Sequence, residues 1–293
     1  MKLAILGPRE KMMGYSSKRL IEEGKKLFKK VDVVPALKVA LKIDEKGLDA
    51  LYNGKSLKEY DYILPRIDSK RAAIGYPVVR FLDYMGIKKP YFAETILIAH
   101  NKFMTLERLV RNNIVVPKTY LTASKDTAKE LVGKEGLPIM LKLLSGFGGM
   151  GVMYMESKEA IESAIDTMQM LEQEICLEKY IENPGEDLRG IVAGDEVIAS
   201  FKRIAAKGEK RANVYSGGKA VNFKLTEELE EVALKSAKAV GAKICAVDII
   251  SDKNGKPYVI EVNINPGIRG MEKATNINVA FRIINYVKSE IKR

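Results

Sequence analysis

The sequence has a single histidine, His100, no tryptophan, and only two cysteines, Cys176 and Cys245. One histidine argues against a Ser-His-Asp triad and against a zinc site built from several histidines. The two cysteines lie far apart in apolar stretches, without the spacing that metal sites use, so we predict buried free thiols in a reducing cytosol. The apolar runs are far shorter than a membrane-spanning helix requires, so we expect no membrane partner.

Composition indicates a globular, cytoplasmic protein. The chain has 293 residues, 46% hydrophobic and 30% charged, enough for two or three packed layers or subdomains. Its first residues, MKLAILGPRE, predict an opening strand rather than a secretory leader. The net charge of +11 suits polyanionic ligands, although lysines mixed with glutamates along helices are typical of a solvated face. Without a Cys/His finger or an RNP-like aromatic motif, we expect no DNA partner.

The first part of the chain predicts a small α/β unit. Strands at 2–6, 31–36 and 60–67 alternate with helices at 16–29 and 71–85. This order is typical of a parallel sheet covered by helices.

The rest of the chain predicts a mixed α+β arrangement. Helices are predicted at 96–113, 124–135, 157–173, 226–241 and 276–292. Strands are predicted at 114–122, 137–144, 152–156 and 175–181, and hairpins turn at Gly194-Asp195 and at Asp252–Gly255. Ser124 or Asp126 is the expected N-cap of the second of these helices.

Three oxygen-bearing side chains interrupt two apolar stretches near the end of the chain. Asp248 lies in AVDII, and Glu261 and Asn263 lie in VIEVNINPG. Alternate residues of a strand share a face, so Glu261 and Asn263 project together, and Asp248 can join them across a hairpin. Burying these three residues, called here the oxygen trio, is costly unless a cation compensates. Such ligands suit Mg²⁺ with bound phosphates, and a solvated hairpin edge is the ordinary alternative.

A glycine-rich loop at 146–151 matches G-x-G-x-x-G. The strand predicted directly after it argues against a dinucleotide-binding turn, which requires a helix there. The H-R-D and D-F-G motifs of protein kinases are absent. We predict a flap whose backbone N–H groups close over phosphate oxygens, with Lys142 reaching those phosphates from the preceding strand. An ordinary hairpin turn is the alternative.

Further polar groups extend this candidate phosphate site. They are Lys102, Lys202, Arg203, Arg211 and Asn213. Any one of them alone is typical of a charged hairpin rim. Together with the flap and the oxygen trio, they predict a site for a metal-bound polyphosphate.

In these residues the chain resembles the ATP-grasp ligases of the RimK-like family, some of which modify ribosomal protein S6. The resemblance covers nearly the whole chain, and the segments that carry it are YSSKRL, LPRI, NKFMTLERLVRNNIVVPKT, LKLLSGFGGMGV, EKYIENPGEDLRGIVAG, FKRIAAKGEKRANVYSGG, AVDII and VIEVNINPGIRGMEKAT. It implies an ATP-grasp fold of two α+β subdomains, preceded by a small parallel α/β N-terminal domain. The implied division is 1–95, then 96–180 with the flap, then 181–293 with the metal site.

The resemblance also assigns the nucleotide site residue by residue. Lys102 and Lys142 resemble the lysines on the ATP phosphates, and Asp187 resembles the ribose contact. The family's adenine-reading hinge corresponds to Glu178, Lys179, Tyr180 and Ile181. That hinge usually reads Q-E-[FY]-I, so Lys179 replaces an acid, whereas main-chain contacts to adenine survive the change. The flap glycines are Gly146, Gly149 and Gly151.

The catalytic end of the site is assigned in the same way. Asp248, Glu261 and Asn263 resemble ligands of two Mg²⁺ or Mn²⁺ ions. Arg211 and Asn213 resemble contacts to the transferred phosphate and its metal, and Arg203 a basic group beside an acyl-phosphate. With Lys142, the two arginines are the expected catalytic residues.

The implied reaction is ATP-dependent ligation of a carboxylate to an amine. ATP would phosphorylate an acidic acceptor, and the amine of L-glutamate would displace the phosphate. Family members act on a cofactor tail such as that of tetrahydromethanopterin, on a protein C-terminus, or on a carrier protein. Chain length and a thermophile-like composition favour the cofactor tail. The family implies a homo-oligomer, and the sequence shows no general base for the amine. A basic nucleotide- or RNA-binding protein is the non-enzymatic alternative.

Overall fold

A computed structural model describes residues 1–7, 11, 13–144, 151–206 and 218–292. The chain begins with a three-stranded parallel sheet in the order β2-β1-β6, as predicted. The elements of this region are β1 (Lys2–Gly7), α1 (Tyr15–Leu27), β2 (Lys30–Pro35), β3 (Ala40–Asp44), β4 (Gly47–Tyr52), β5 (Lys55–Ser56), β6 (Tyr62–Pro65) and α2 (Ala72–Tyr84).

Strands β3 to β5 form a separate antiparallel sheet that the sequence analysis missed. Most of their side chains are at least partly exposed, and Ile43 is 73% exposed. Only Ala50 of β3 and β4 is buried, so these strands have little of the buried apolar face from which strands are predicted.

Two helices replace the single helix predicted at 96–113. They are α3 (Ala93–Ala99) and α4 (Lys102–Val110). The side chain of Asn101 accepts a hydrogen bond from the Met104 amide at 3.1 Å and so caps a new helix. The prediction of one helix was wrong because the apolar periodicity continues across this cap.

The middle of the chain forms an antiparallel sheet in the order β7-β10-β8-β9. Its elements are β7 (Thr119–Thr122), α5 (Lys125–Glu135), β8 (Ile139–Lys142), β9 (Val152–Met155), α6 (Lys158–Met170) and β10 (Ile175–Lys179). Of the two candidate caps, Ser124 caps α5. Strands β8 and β9 on either side of the glycine-rich loop are antiparallel, which confirms the argument against a dinucleotide-binding turn.

The last part of the chain is built on a five-stranded sheet in the order β13-β12-β11-β14-β15. Its elements are β11 (Glu186–Ala193), β12 (Glu196–Ile204), β13 (Lys219–Asn222), α7 (Glu227–Ala239), β14 (Ile244–Ser251), β15 (Pro257–Asn263), α8 (Arg269–Thr275) and α9 (Val279–Lys292). Both predicted hairpins are present. Helix α8 was missed, and α9 starts three residues later than predicted, because Asn276 ends α8 in the left-handed conformation.

The hydrophobic core consists of three clusters, and the two that join the first sheet to the five-stranded sheet are called here the shared core. Side chains of the first sheet pack with those of the five-stranded sheet and α9, as Leu3 and Ile5 do with Ile191 and Ile283. The four-stranded sheet has its own core, drawn only from residues 120–177. The four-stranded sheet is therefore packed separately from the shared core.

Both cysteines are buried free thiols, as expected. In the ranges that the structure describes, no helix is long and apolar enough to cross a membrane.

We expect Ile283→Ala to lower the free energy of unfolding by about 2–5 kcal/mol, because it removes a fully buried side chain from the shared core. Urea denaturation measures this change. The matched control is Ile43→Ala on an exposed strand, for which we expect a change within about 0.5 kcal/mol. Equal effects of the two substitutions would contradict the placement of Ile283 in the shared core.

Candidate active site

One cavity brings together three of the predicted site residues, Lys102, Glu261 and Asn263. Lys102 is the first residue of α4, and the other two lie near the end of β15. The rest of the wall is formed by Asp68, Ser69, Ala99, His100, Thr105, Ile260 and Asn265. The cavity therefore lies where the segment after β6, the junction of α3 with α4, and the end of β15 meet.

Asp248, the third member of the oxygen trio, lies on β14 directly opposite Glu261. It is buried, and its carboxylate accepts hydrogen bonds from two arginines. Arg189 donates from Nε and from Nη2, both at 2.6 Å, and Arg203 donates from Nη2 at 2.7 Å. Burial raises the pKa of the Asp248 carboxyl, but the two guanidiniums outweigh burial and the pKa is lowered.

Arg203 also forms an ion pair with Asp187, so that Asp187, Arg189, Arg203 and Asp248 make one network. Asp187 was expected to contact a ribose. In this structure its carboxylate is buried and held by Arg203, its cross-strand partner. Burial raises the pKa of Asp187. Arg203 lowers this pKa and the negative charge of Asp248 raises it, and the net result is a raised pKa.

The oxygen trio fits a hard divalent cation. A carboxylate offers about four lone-pair sites, and the two arginines use three at Asp248, which leaves one. Glu261 and Asn263 face the cavity. Within the described residues, no group of three or more His, Cys, Asp or Glu side chains is arranged to hold a metal. The trio, with two carboxylates and one amide, is a different donor set of the kind that Mg²⁺ uses.

Nζ of Lys142 donates a hydrogen bond to the Glu178 carboxylate at 2.6 Å. Both side chains are buried, and the second oxygen of Glu178 has no hydrogen-bond partner among the described residues. Lys102 is electrostatically coupled to this pair: burial lowers the pKa of Lys102, Lys142 lowers it further, and Glu261 raises it. The two predicted phosphate lysines thus lie within electrostatic reach of each other and of the oxygen trio.

The predicted adenine hinge is divided by the end of a strand. Glu178 and Lys179 lie inside β10, in register with Met140 and Ile139 of β8. Tyr180 and Ile181 follow β10 outside any strand. The ring of Tyr180 packs edge-on against Tyr154, with centroids 5.0 Å apart.

Several predicted residues lie outside the described residues or away from this cluster. Gly146, Gly149, Arg211 and Asn213 are outside the described residues. Gly151 is described and has a φ of 78°, as the flap prediction requires of its glycines. Lys202 pairs with Glu186 at 2.7 Å. It projects to the opposite face of β12 from its neighbour Arg203.

Sequence reasoning missed the parts of the site whose signals were weakest. Arg189 follows Asp187 by two residues on a strand, and this spacing could have shown that both share a face. Asp68 and Asn265 carry no sequence signal, because only the fold brings their segments together. His100 was noted only for its rarity, and its place two residues before Lys102 was the available clue.

Comparison with known proteins identifies the family of this chain. A RimK-like ATP-grasp domain model matches residues 99–287, and a RimK pre-ATP-grasp domain model matches residues 1–96. A protein of Shewanella loihica named probable alpha-L-glutamate ligase is 36% identical, with 100% of this chain and 97% of that protein covered.

Solved structures show the same fold at low identity. The ATP-grasp ligase PsnB, complexed with minimal precursor, Mg and ADP, has a TM-score of 0.76 at 15% identity, covering 99% of this chain and 98% of PsnB. A RimK domain ATP-grasp protein of Sphaerobacter thermophilus has a TM-score of 0.73 at 20% identity, covering 98% of this chain and 99% of that one. The chain belongs to the RimK-like ATP-grasp family, and the predicted fold and enzyme class, an ATP-grasp ligase, are confirmed in place of the non-enzymatic alternative.

Proposed function

We propose that this protein uses ATP to join an acceptor carboxylate to the amine of L-glutamate. The observation that carries the proposal is the cavity in which Lys102 meets Glu261 and Asn263, with Asp248 opposite Glu261. It combines cations for phosphate with oxygen donors for a metal. The relatives named probable alpha-L-glutamate ligase support the choice of amine, and the Mg and ADP bound to PsnB support the choice of ligands.

The reaction would run in two steps. The acceptor carboxylate attacks the terminal phosphate of ATP and ADP leaves. The amine then attacks the acyl carbon, and inorganic phosphate leaves. Such phosphoryl transfer depends mainly on positioning and on charge neutralisation.

The described residues divide these tasks. Lys102 and Lys142 bind phosphate oxygens, and Glu178 holds the Lys142 ammonium in place. Asp248, Glu261 and Asn263 would hold Mg²⁺ or Mn²⁺, in our proposal two ions, which when bound neutralise charge on the transferred phosphate. Arg203 supplies positive charge beside Asp248. Arg211, Asn213 and the glycine flap keep their predicted roles, and Tyr180 and Ile181 present main-chain groups to adenine.

A cofactor tail of the tetrahydromethanopterin type is the acceptor that we propose. It rests on the Lys-, Glu- and Ile-rich composition and on the net charge of +11. The C-terminus of a protein such as ribosomal protein S6, or a carrier protein, is the alternative. We also keep as proposals the division at 1–95, 96–180 and 181–293, a cytoplasmic location and a homo-oligomer.

Incubation with ATP, Mg²⁺, a panel of amino acids and the three classes of acceptor tests the function directly. Mass spectrometry should detect an acceptor heavier by one or more glutamyl residues, together with ADP and phosphate in matching amounts. A product that contains another amino acid would overturn the choice of L-glutamate. A product made on a protein C-terminus alone would overturn the cofactor tail.

Glu261→Gln should lower ligase turnover at least ~100-fold, equivalent to about 2.7 kcal/mol of transition-state stabilisation. The amide keeps the shape of the side chain but loses the charge that a divalent cation requires. Steady-state ADP release measures turnover, and thermal unfolding should show an unchanged fold. The matched control is Glu231→Gln on the exposed face of α7, and turnover like that of the control would refute the metal assignment.

Lys142→Ala should raise the KM for ATP about tenfold, a loss of about 1.4 kcal/mol of binding, and should also slow turnover. The change removes a buried cation from the predicted phosphate site. Because it also leaves Glu178 without its partner, the double variant Lys142→Ala/Glu178→Gln separates lost phosphate binding from lost stability. Lys134→Ala, at an exposed position of α5, is the control, and unchanged kinetics in both Lys142 variants would contradict the assignment.

A further inference from the structure

We propose that the cavity beside Lys102 binds the attacking amine and that His100 takes the proton which the amine loses on attack. The inference rests on the proposed function and names the group that binds in one part of that site. It concerns the residues of the cavity wall that the ligation scheme leaves unused: Asp68, Ser69, His100 and Asn265.

Two oxygen atoms in this wall have unmet hydrogen-bonding capacity. Oδ1 of Asp68 and Oδ1 of Asn265 are buried and have no hydrogen-bond partner among the described residues. Other atoms of both residues have partners. Oδ2 of Asp68 accepts a hydrogen bond from Arg71, and the backbone N–H of Asn265 donates to Oδ1 of Asn263 at 2.8 Å. A buried acceptor without a donor destabilises the protein, because it has lost its hydrogen bonds to water and gained none in return. An amine, whose N–H groups donate to two acceptors at once, removes this cost at both atoms.

The position of Asp68 and Ser69 is also one where α/β sheets bind ligands. Both residues follow β6 at the carboxyl end of the parallel sheet. The chain leaves β1 towards β2 on one side and returns to β6 on the other. Ligands in open α/β sheets bind at the carboxyl ends of strands beside such a change of direction.

His100 is held in the form that can accept a proton. Its Nε2 lies 3.2 Å from the carbonyl oxygen of Ile67. A carbonyl oxygen only accepts hydrogen bonds, so Nε2 carries the proton and Nδ1 of the neutral ring keeps its lone pair. Burial lowers the pKa of His100 and outweighs the Ile67 carbonyl and Asp68, which both raise it. The imidazole is therefore neutral at pH 7, as a base must be.

In the second step of the reaction, His100 accepts one of the two protons that the amine loses. An ammonium group first loses one proton to water and becomes a nucleophile. Its nitrogen lone pair then forms the C–N bond, and a second N–H proton passes to Nδ1 of His100. The C–O bond to phosphate breaks, and the phosphate leaves with that electron pair.

Charge favours an amine over a carboxylate in this part of the cavity. Asp68 and Glu261 both line it, and Lys102 is the only Lys or Arg among the described lining residues. A substrate carboxylate next to Asp68 would meet like charge in a desolvated setting. A further divalent cation is the competing occupant, because it also seeks oxygen donors.

Because His100 is the only histidine of the chain, NMR can observe it directly. In untagged protein labelled with ¹⁵N-histidine, we expect the Nε2–H tautomer. With Mg²⁺ and a non-hydrolysable ATP analogue present, L-glutamate should shift the imidazole signals, whereas glutarate, which lacks the amino group, should not. The Nδ1–H tautomer, an equal response to glutarate, or the same shift with Mg²⁺ alone would each overturn the proposal.

Kinetics of His100→Gln tests the role in proton transfer. The glutamine amide can still donate to the Ile67 carbonyl but is no base. With a glutamyl-terminated peptide as acceptor probe, ligation of L-glutamate should fall about 10²–10⁴-fold. Trapping of the activated carboxylate by hydroxylamine, a nucleophile that is neutral at pH 7, should remain within about twofold.

The outcomes separate this inference from the proposed function. Equal losses in ligation and in trapping would make His100 a structural residue only, and unchanged ligation would remove its role altogether. If the wild-type protein forms no hydroxamate and no ADP with any acceptor, the proposed function fails. The NMR comparison of L-glutamate with glutarate then still decides whether the cavity binds an amine.

Discussion

The pairing of two carboxylates with two guanidiniums inside the five-stranded sheet is the interaction on which the site depends. Asp187 lies opposite Arg203, and Arg189 lies opposite Asp248, so all four side chains share one face of the sheet. Asp248 in turn lies opposite Glu261. Two carboxylates in directly opposed positions repel each other, and the pair is tolerable because Arg189 and Arg203 neutralise Asp248. The arginines thus make it possible to concentrate oxygen donors at the end of β15.

The same network explains why this arrangement is difficult to change. Removing one partner of a buried ion pair leaves an uncompensated charge and costs about 3–5 kcal/mol. Each member also lies on a defined strand, since Asp187 and Arg189 come from β11, Arg203 from β12 and Asp248 from β14. A slip of one residue in any pairing would send a charge to the opposite face, into apolar surroundings. The network therefore fixes the register of the strands that carry the metal ligands.

Prediction from sequence succeeded where the signal was local. The hairpins at 194–195 and 252–255 are marked by turn residues, and the second hairpin brings Asp248 opposite Glu261. Prediction failed where exposure or long-range contact decides. Strands β3 to β5 are mostly exposed, and a single capping side chain, Asn101, separates α3 from α4. Asp68 and Asn265 are almost two hundred residues apart, so no sequence pattern joins them.

The two packing units carry different parts of the chemistry. Lys142 and Glu178 belong to the separately packed four-stranded sheet. The oxygen trio and the wall of the cavity belong to the unit that shares one core with the first sheet.

Contacts from the N-terminal region also hold the segment after the trio. Arg66 donates to the Pro266 carbonyl at 3.0 Å, and the Ile268 amide donates to Ser16. Burial lowers the pKa of Arg66 to about 10, so it stays charged at neutral pH. The amine site that we propose is thereby fixed relative to the metal ligands.

Lys142, the proposed phosphate lysine, instead lies on β8 of the separately packed four-stranded sheet. The amide of Lys102 donates to the Leu144 carbonyl at 3.1 Å and links the two units beside the cavity. The position of Lys142 relative to the oxygen trio therefore depends on this hydrogen bond, which lies two residues from His100. In this fold, the phosphate lysine Lys142 and the metal ligands are therefore carried by separately packed sheets that are joined beside the cavity.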